Sequence, residues 1–170
     1  MKKILFFLAV ILLPSFAMAQ KYGFVDSDYI LKNIPNYNAA QEQLDKLSQE
    51  WQKEVEGVYA EIETMYKDYQ AERVLLSEDM RVKREEEIVN RETEAKELQN
   101  TYFGQEGMLY KKRQELTEPI QEEVYKAISD LATEEGYAAI FDSASGPFML
   151  YFNPRYDLSD EILQRLGYKN

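Results

Sequence analysis

From Leu44 onward apolar side chains return every three or four residues: Leu44, Leu47, Trp51, Val55, Val58, Ile62, Met65, Tyr69 and Leu76. Only a helix gathers such a series on one face, and a stripe this narrow and long lies near the heptad period of a coiled coil. Asn38 followed by Gln41 reads as the capping pair that opens the helix. The rhythm stops at Leu76-Ser77-Glu78-Asp79, where Ser77 is a good N-cap and the two acids suit the positive end of a second helix. A second stripe follows through Ile88, Ala95, Leu98, Tyr102, Leu109, Leu116, Ile120, Val124, Ala127 and Leu131, and Gly136 provides a stop. A short connection between two amphipathic helices implies an antiparallel hairpin. With its tip at residue 78, Asn38 faces Thr117-Glu118-Pro119, and the proline is expected to break the second helix there. The arm then spans residues 38–117 and is ~60 Å long. Residues 118–135 form a separate helix at its base.

Within the arm, residues 81–94 contain only Val82, Ile88 and Val89 as apolar side chains, so the outer third has little to bury. Gly57 falls opposite about residue 99, near Gly104 and Gly107, and glycines at similar height on both helices suit a hinge. Short strands flank the arm. Tyr22-Gly23-Phe24-Val25-Asp26 is one; Tyr137-Ala138-Ala139-Ile140-Phe141 and Phe148-Met149-Leu150-Tyr151-Phe152, separated by Ser145-Gly146-Pro147, suggest a hairpin. The last two lack the alternation of a half-exposed strand, so both faces should be covered. Three short strands and one basal helix cannot cover themselves, which points to oligomerisation through this body, with Phe24, Val25, Ile140, Phe141, Leu150 and Phe152 as candidate interface residues. Asp157-Leu158-Ser159 caps a final helix from Asp160 to Leu166. The expected fold is α+β but mostly α: a long antiparallel helical-hairpin arm projecting from a small β-rich oligomerisation body made of residues 20–37 and 118–170.

The chain has no Cys and no His, which excludes thiolate metal sites, cysteine nucleophiles and any imidazole-dependent mechanism. Residues 1–19 read as a signal peptide: Met1-Lys2-Lys3, a ten-residue apolar run from Ile4 to Leu13, Pro14, and Ala17-Met18-Ala19 before the cut. Ten residues are too few to span a bilayer, which takes roughly 20. The expected product is soluble and exported, without integral membrane insertion. It retains 18 basic against 31 acidic side chains, a net −13 that argues against a nucleic-acid partner.

Other candidate sites are weak. Asp26-Ser27-Asp28 has a spacing found in some metal sites, but strand-end capping explains it as well and it supplies few ligands. Glu85-Glu86-Glu87 beside Lys83 and Arg84 reads as a solvated helix face. No carboxylate pair lies in a recognisable pocket, so the expectation is no enzyme, no catalytic or metal-binding residue and no cofactor. The tyrosines are different, because a ring with a polar tip can touch greasy unfolded segments without driving self-aggregation. Tyr69 and Tyr102 sit on the apolar stripes, whereas Tyr59 and Tyr66 lie one position past stripe residues and are the candidate client-contact residues.

The two terminal segments carry a resemblance. Tyr22-Gly23-Phe24-Val25-Asp26, Gly136-Tyr137-Ala138-Ala139-Ile140-Phe141-Asp142 and Asp157-Leu158-Ser159-Asp160-Glu161-Ile162-Leu163, joined by a charged helical hairpin behind an export signal, resemble the Skp/OmpH family of periplasmic chaperones. The resemblance implies a homotrimer with a β body and three helical arms. It implies a holdase that keeps unfolded outer-membrane β-barrel proteins in the cavity between the arms, in the periplasm and without ATP. The chain accordingly lacks any Gly-rich phosphate loop. It departs from well-known members in charge, since they are strongly basic and this chain is acidic. The alternative is a non-enzymatic envelope coiled-coil scaffold protein, which would bind one defined partner rather than unrelated unfolded chains.

Overall fold

The computed structural model describes residues 20–146 and 150–168, so the proposed signal peptide lies outside the described residues. Strand β1 (Lys21–Val25) leads into a short helix α1 (Ser27–Lys32), whose N-cap Asp26 accepts a hydrogen bond from the backbone N–H of Tyr29. Helix α2 (Pro35–Glu72) carries the first apolar stripe outward. It starts three residues before the expected Asn38 because Pro35 stands at its first position, where a fixed φ and a missing N–H cost nothing. The Asn38 amide instead donates to the carbonyl of Lys32. Helix α3 (Glu78–Phe103) returns from the tip, with Ser77 as its N-cap accepting from the N–H of Met80, and α4 (Met108–Glu135) continues to the body.

The second half of the arm is therefore interrupted at Gly104–Gly107, and the break expected at Pro119 is absent. Pro119 lies inside an unbroken α4, with no separate basal helix over 118–135. The lost hydrogen bond is outweighed because α4 is anchored on both sides of the proline. Thr117 is buried, with its hydroxyl satisfied by the Arg113 carbonyl at 2.9 Å, and Val124 and Leu131 enter the body core. Gly136 ends α4 in the left-handed conformation, φ 69°, which glycine adopts at little cost.

Strand β2 (Tyr137–Asp142) then pairs with β1 in parallel, bringing Phe24 beside Phe141 and Val25 beside Asp142. Only the last three residues of the strand expected at 148–152 fall among the described residues. Residues 147–149 lie outside the described residues, and Leu150, Tyr151 and Phe152 are not in a strand. Asp142 and Ser143 tie the end of β2 to β1 and α1. The Asp142 carboxylate accepts from the Ser27 N–H (3.1 Å) and hydroxyl (2.7 Å), the Ala144 N–H (3.0 Å) and the Ser145 hydroxyl (2.7 Å), while the Ser143 N–H donates to the Val25 carbonyl (2.7 Å). Phe24 also forms an isolated parallel bridge with Asp157. The terminal helix α5 (Ser159–Arg165) closes the body. Its core gathers Val25, Ile30, Ile34, Val124, Leu131, Leu158, Ile162 and Leu163 from both ends of the chain.

Burial pulls the Asp142 pKa upward, but the hydrogen bonds from Ser145, Ser27 and Ala144 outweigh it and leave the carboxyl below its ordinary value. Its contribution to stability is thus present above the ordinary aspartate pKa and is lost as pH falls through the lowered one. Asp142→Ala is expected to destabilise the body by about 1–3 kcal/mol, because it removes four hydrogen bonds, two of them from the part-buried Ser27. It should also flatten the acid limb of stability against pH. Thermal unfolding across a pH series checks both, and an acid limb identical to that of the unaltered chain would count against the assignment.

Candidate functional site

In the arm, α2 and α3 pack with Tyr59 facing Gln99 and Tyr66 facing Glu92, the register that a tip near residue 78 requires. The tyrosine hydroxyls are directed across the helix pair. Tyr66 donates to Glu92 Oε1 at 2.9 Å, Tyr102 to Glu54 Oε2 at 2.8 Å, Tyr69 to the Glu85 carboxylate, and Tyr59 approaches Gln99 Oε1 at 3.4 Å. Arg91 bridges Glu61 of the facing helix and Glu94 of its own. The phenols of Tyr66, Tyr69 and Tyr102 are held above the ordinary tyrosine value, first by these hydrogen bonds to glutamate, then by burial and the nearby negative charge. Each cross-link is therefore complete below the ordinary tyrosine pKa and is lost only as pH rises through the raised one.

The rings differ in what they leave open. Tyr69 is buried between the helices, whereas Tyr59 and Tyr66 keep 40% and 41% of their surface exposed. With hydroxyls held from across the arm, those two rings lie along its surface and present apolar area at fixed positions. Tyr110 adds a third open ring lower down, its oxygen accepting from Gln114. Such an arm offers scattered aromatic contacts set among mixed charges. Among the described residues no group of three or more Asp and Glu side chains is placed to hold a metal ion.

The six residues assigned to the body fall into two groups. Val25 is 3% exposed in the chain's own core, and Ile140 packs against that core. Phe24 lies between Phe141 and Phe152, with ring centroids 5.8 and 5.2 Å away. Phe141 is half exposed, and Leu150 projects almost fully into solvent at 98%. The exposed aromatic face also includes Tyr22, whose ring lies 6.2 Å from that of Phe141, and Tyr156, neither of which was singled out from the sequence. Alternation along β1 was the available signal for Tyr22. Between α1, α4 and β2 the body has an open groove of about 380 Å³, lined by Val25, Leu31, Val124, Tyr125, Ile128 and Ile140 among others. Among the described residues no helix is long and apolar enough to cross a membrane.

The model of the family described as "Outer membrane protein (OmpH-like)" matches residues 21–166. An uncharacterised protein of Aquifex aeolicus (strain VF5) is 26% identical over 166 residues, spanning 98% of this chain and 96% of that one. The fold is similar to the crystal structure of an OmpH-like candidate outer membrane chaperone from Caulobacter crescentus CB15. The TM-score is 0.67 at 12% identity, with 87% of this chain and 84% of that chain covered.

Proposed function

Because the chain belongs to the OmpH-like family of outer membrane proteins, we propose that it is an ATP-independent holdase chaperone of the periplasm. It binds unfolded outer-membrane β-barrel proteins between helical arms and prevents their aggregation. The observation that carries this reading is the pair of rings at Tyr59 and Tyr66, anchored by their hydroxyls and open on their faces along the arm. Many weak contacts of this kind hold an extended client without fixing it in one conformation, so little ordering entropy is lost. Release follows when the client reaches a more stable folded state in the membrane. The half-exposed aromatic face of the body supports assembly of several copies, a homotrimer in this reading, whose arms surround the client.

The test is light scattering after a urea-unfolded β-barrel membrane protein is diluted into buffer containing residues 20–170. The expected result is suppression near one oligomer per client, unchanged by ATP. A client that aggregates as fast as it does alone overturns the reading and favours the scaffold alternative.

Tyr59→Ser combined with Tyr66→Ser is expected to weaken client binding several-fold while leaving the oligomer mass unchanged. Titration of a labelled unfolded client, with the mass checked in parallel, measures both. Unaltered binding would remove these two rings from the contact surface.

A further inference from the structure

The paired helices of the arm carry more negative charge than they can compensate. Helix α2 holds nine Asp and Glu side chains against three Lys, and α3 holds eight against five Lys and Arg. If every base were paired, nine carboxylates on the two helices would still lack a cation. Arg91 is shared by Glu61 and Glu94, Arg84 by Glu72 and Glu87, and Lys67 and Arg81 pair with Glu63 and Glu78 on their own helices. By contrast, the carboxylates of Glu50, Asp68, Glu86 and Glu97 are exposed and make no ion pair or hydrogen bond among the described residues. The arm does not use these four for its own structure.

The surplus lies along the shaft and not at the tip. Around the tip the balance reverses, with Arg73, Arg81, Lys83 and Arg84 against Glu78 and Asp79. Glu50 and Asp68 are eighteen residues apart on α2, so the unused carboxylates spread over ~27 Å of the shaft. Two of them stand at the height of the open rings. Asp68 is two residues past Tyr66, and Glu97 is two residues before Gln99, which Tyr59 approaches across the helix pair. Tyr59 and Tyr66 leave 40% and 41% of their surface open at that height. An exposed tyrosine face attracts cations through its ring quadrupole, so ring and carboxylate favour the same side chains, Lys and Arg.

We infer that the arm selects its client by charge: it holds unfolded chains with a surplus of Lys and Arg and turns away those with a surplus of Asp and Glu. This rests on the holdase reading and names the class of chain that such a holdase takes. Each exposed ion pair contributes little, so selection comes from the number of contacts along the shaft and not from one of them. An acidic chain near the rings would lie within the ~8 Å over which charges act at physiological salt, and would meet uncompensated carboxylates. Several arms around one space add their fields and sharpen the preference.

The test uses one β-barrel membrane protein in two forms, with Lys and Arg added at loop positions in the first and Asp and Glu added at the same positions in the second. Each is unfolded in urea and diluted into buffer with the mature chain, and both binding and light scattering are followed. At low salt the basic form is expected to bind roughly tenfold more tightly than the acidic one. In about 1 M salt, where screening acts within ~3 Å, the two should bind alike. Combining Glu50→Gln, Asp68→Asn, Glu86→Gln and Glu97→Gln should reduce the low-salt preference roughly threefold, with helix content and oligomer mass unchanged because no contact of the arm is removed. Equal binding of the two forms, or tighter binding of the acidic one, overturns the selection and leaves the holdase standing. So does a preference that neither salt nor the combined variant moves. Two forms that both aggregate as fast as they do alone overturn the holdase reading, and the selection with it.

Discussion

Leu131→Ala is expected to destabilise the protein by about 2–5 kcal/mol, the cost of removing a buried leucine together with the cavity it leaves. Leu131 is fully buried where α4 enters the body, in one cluster with Val25, Ile30, Leu158 and Ile162. Those neighbours come from both ends of the chain and sit on short elements that have few other contacts to hold them against a void. A loss of this size lowers the midpoint of thermal unfolding by roughly 2–4 °C per kcal/mol in a chain of this length. Val89→Ala is the control, because Val89 is 55% exposed on α3 and should change stability by no more than about 0.5 kcal/mol. Equal effects of the two substitutions on thermal unfolding would mean that the body core does not limit stability.

Gly23→Val should be nearly as damaging, for the opposite reason. Gly23 is buried in β1, and a Cβ there would lie 2.4 Å from Leu158 Cδ1 and 3.1 Å from Cε1 of the Tyr137 ring. The backbone cannot withdraw, because the Leu158 N–H donates to the adjacent Phe24 carbonyl at 2.8 Å. Adding side-chain volume at such a contact costs about 1–3 kcal/mol. The diagnostic is a double-mutant cycle. Leu158→Ala should cost clearly less in a Gly23→Ala background than in the unaltered chain, because it then also relieves the overlap. Additive effects, measured by denaturant unfolding, would show that the two positions do not collide.

Periodicity made the arm legible. A seven-residue recurrence on one face survives any tertiary context, and it located the tip, the Ser77 cap and the register in which Tyr66 meets Glu92. The terminal elements were harder. Tyr137 to Phe141 reads as a strand, but strand content does not say which strand is its partner, and the pairing with β1 was not read from the sequence. The deciding signal was Asp142, whose carboxylate draws Ser27, Ala144 and Ser145 together, and a single aspartate after a strand carries no such message in sequence. Helix α1 was missed because six residues give too little periodicity to register. Pro119 does not break α4, and the helix is interrupted at Gly104–Gly107 instead, since local propensity does not report how firmly the flanking turns are anchored. Tyr59 and Tyr66 were readable as open rings from stripe phase alone, while Gln99 and Glu92, which hold their hydroxyls, were not.

The parallel pairing of β1 with β2 joins segments separated by the whole arm, and this dictates an order of assembly. A chain that emerges amino-terminus first presents β1 more than a hundred residues before its partner exists. Closing a loop of that length directly is slow, because the entropy of bringing its ends together is lost before any contact compensates it. The two helices of the arm shorten that search. Each turn they zip from the tip toward the body brings the strands nearer, until the last step closes only a few residues. Substitutions that weaken the arm near its base should therefore slow formation of the body, even though they lie outside it.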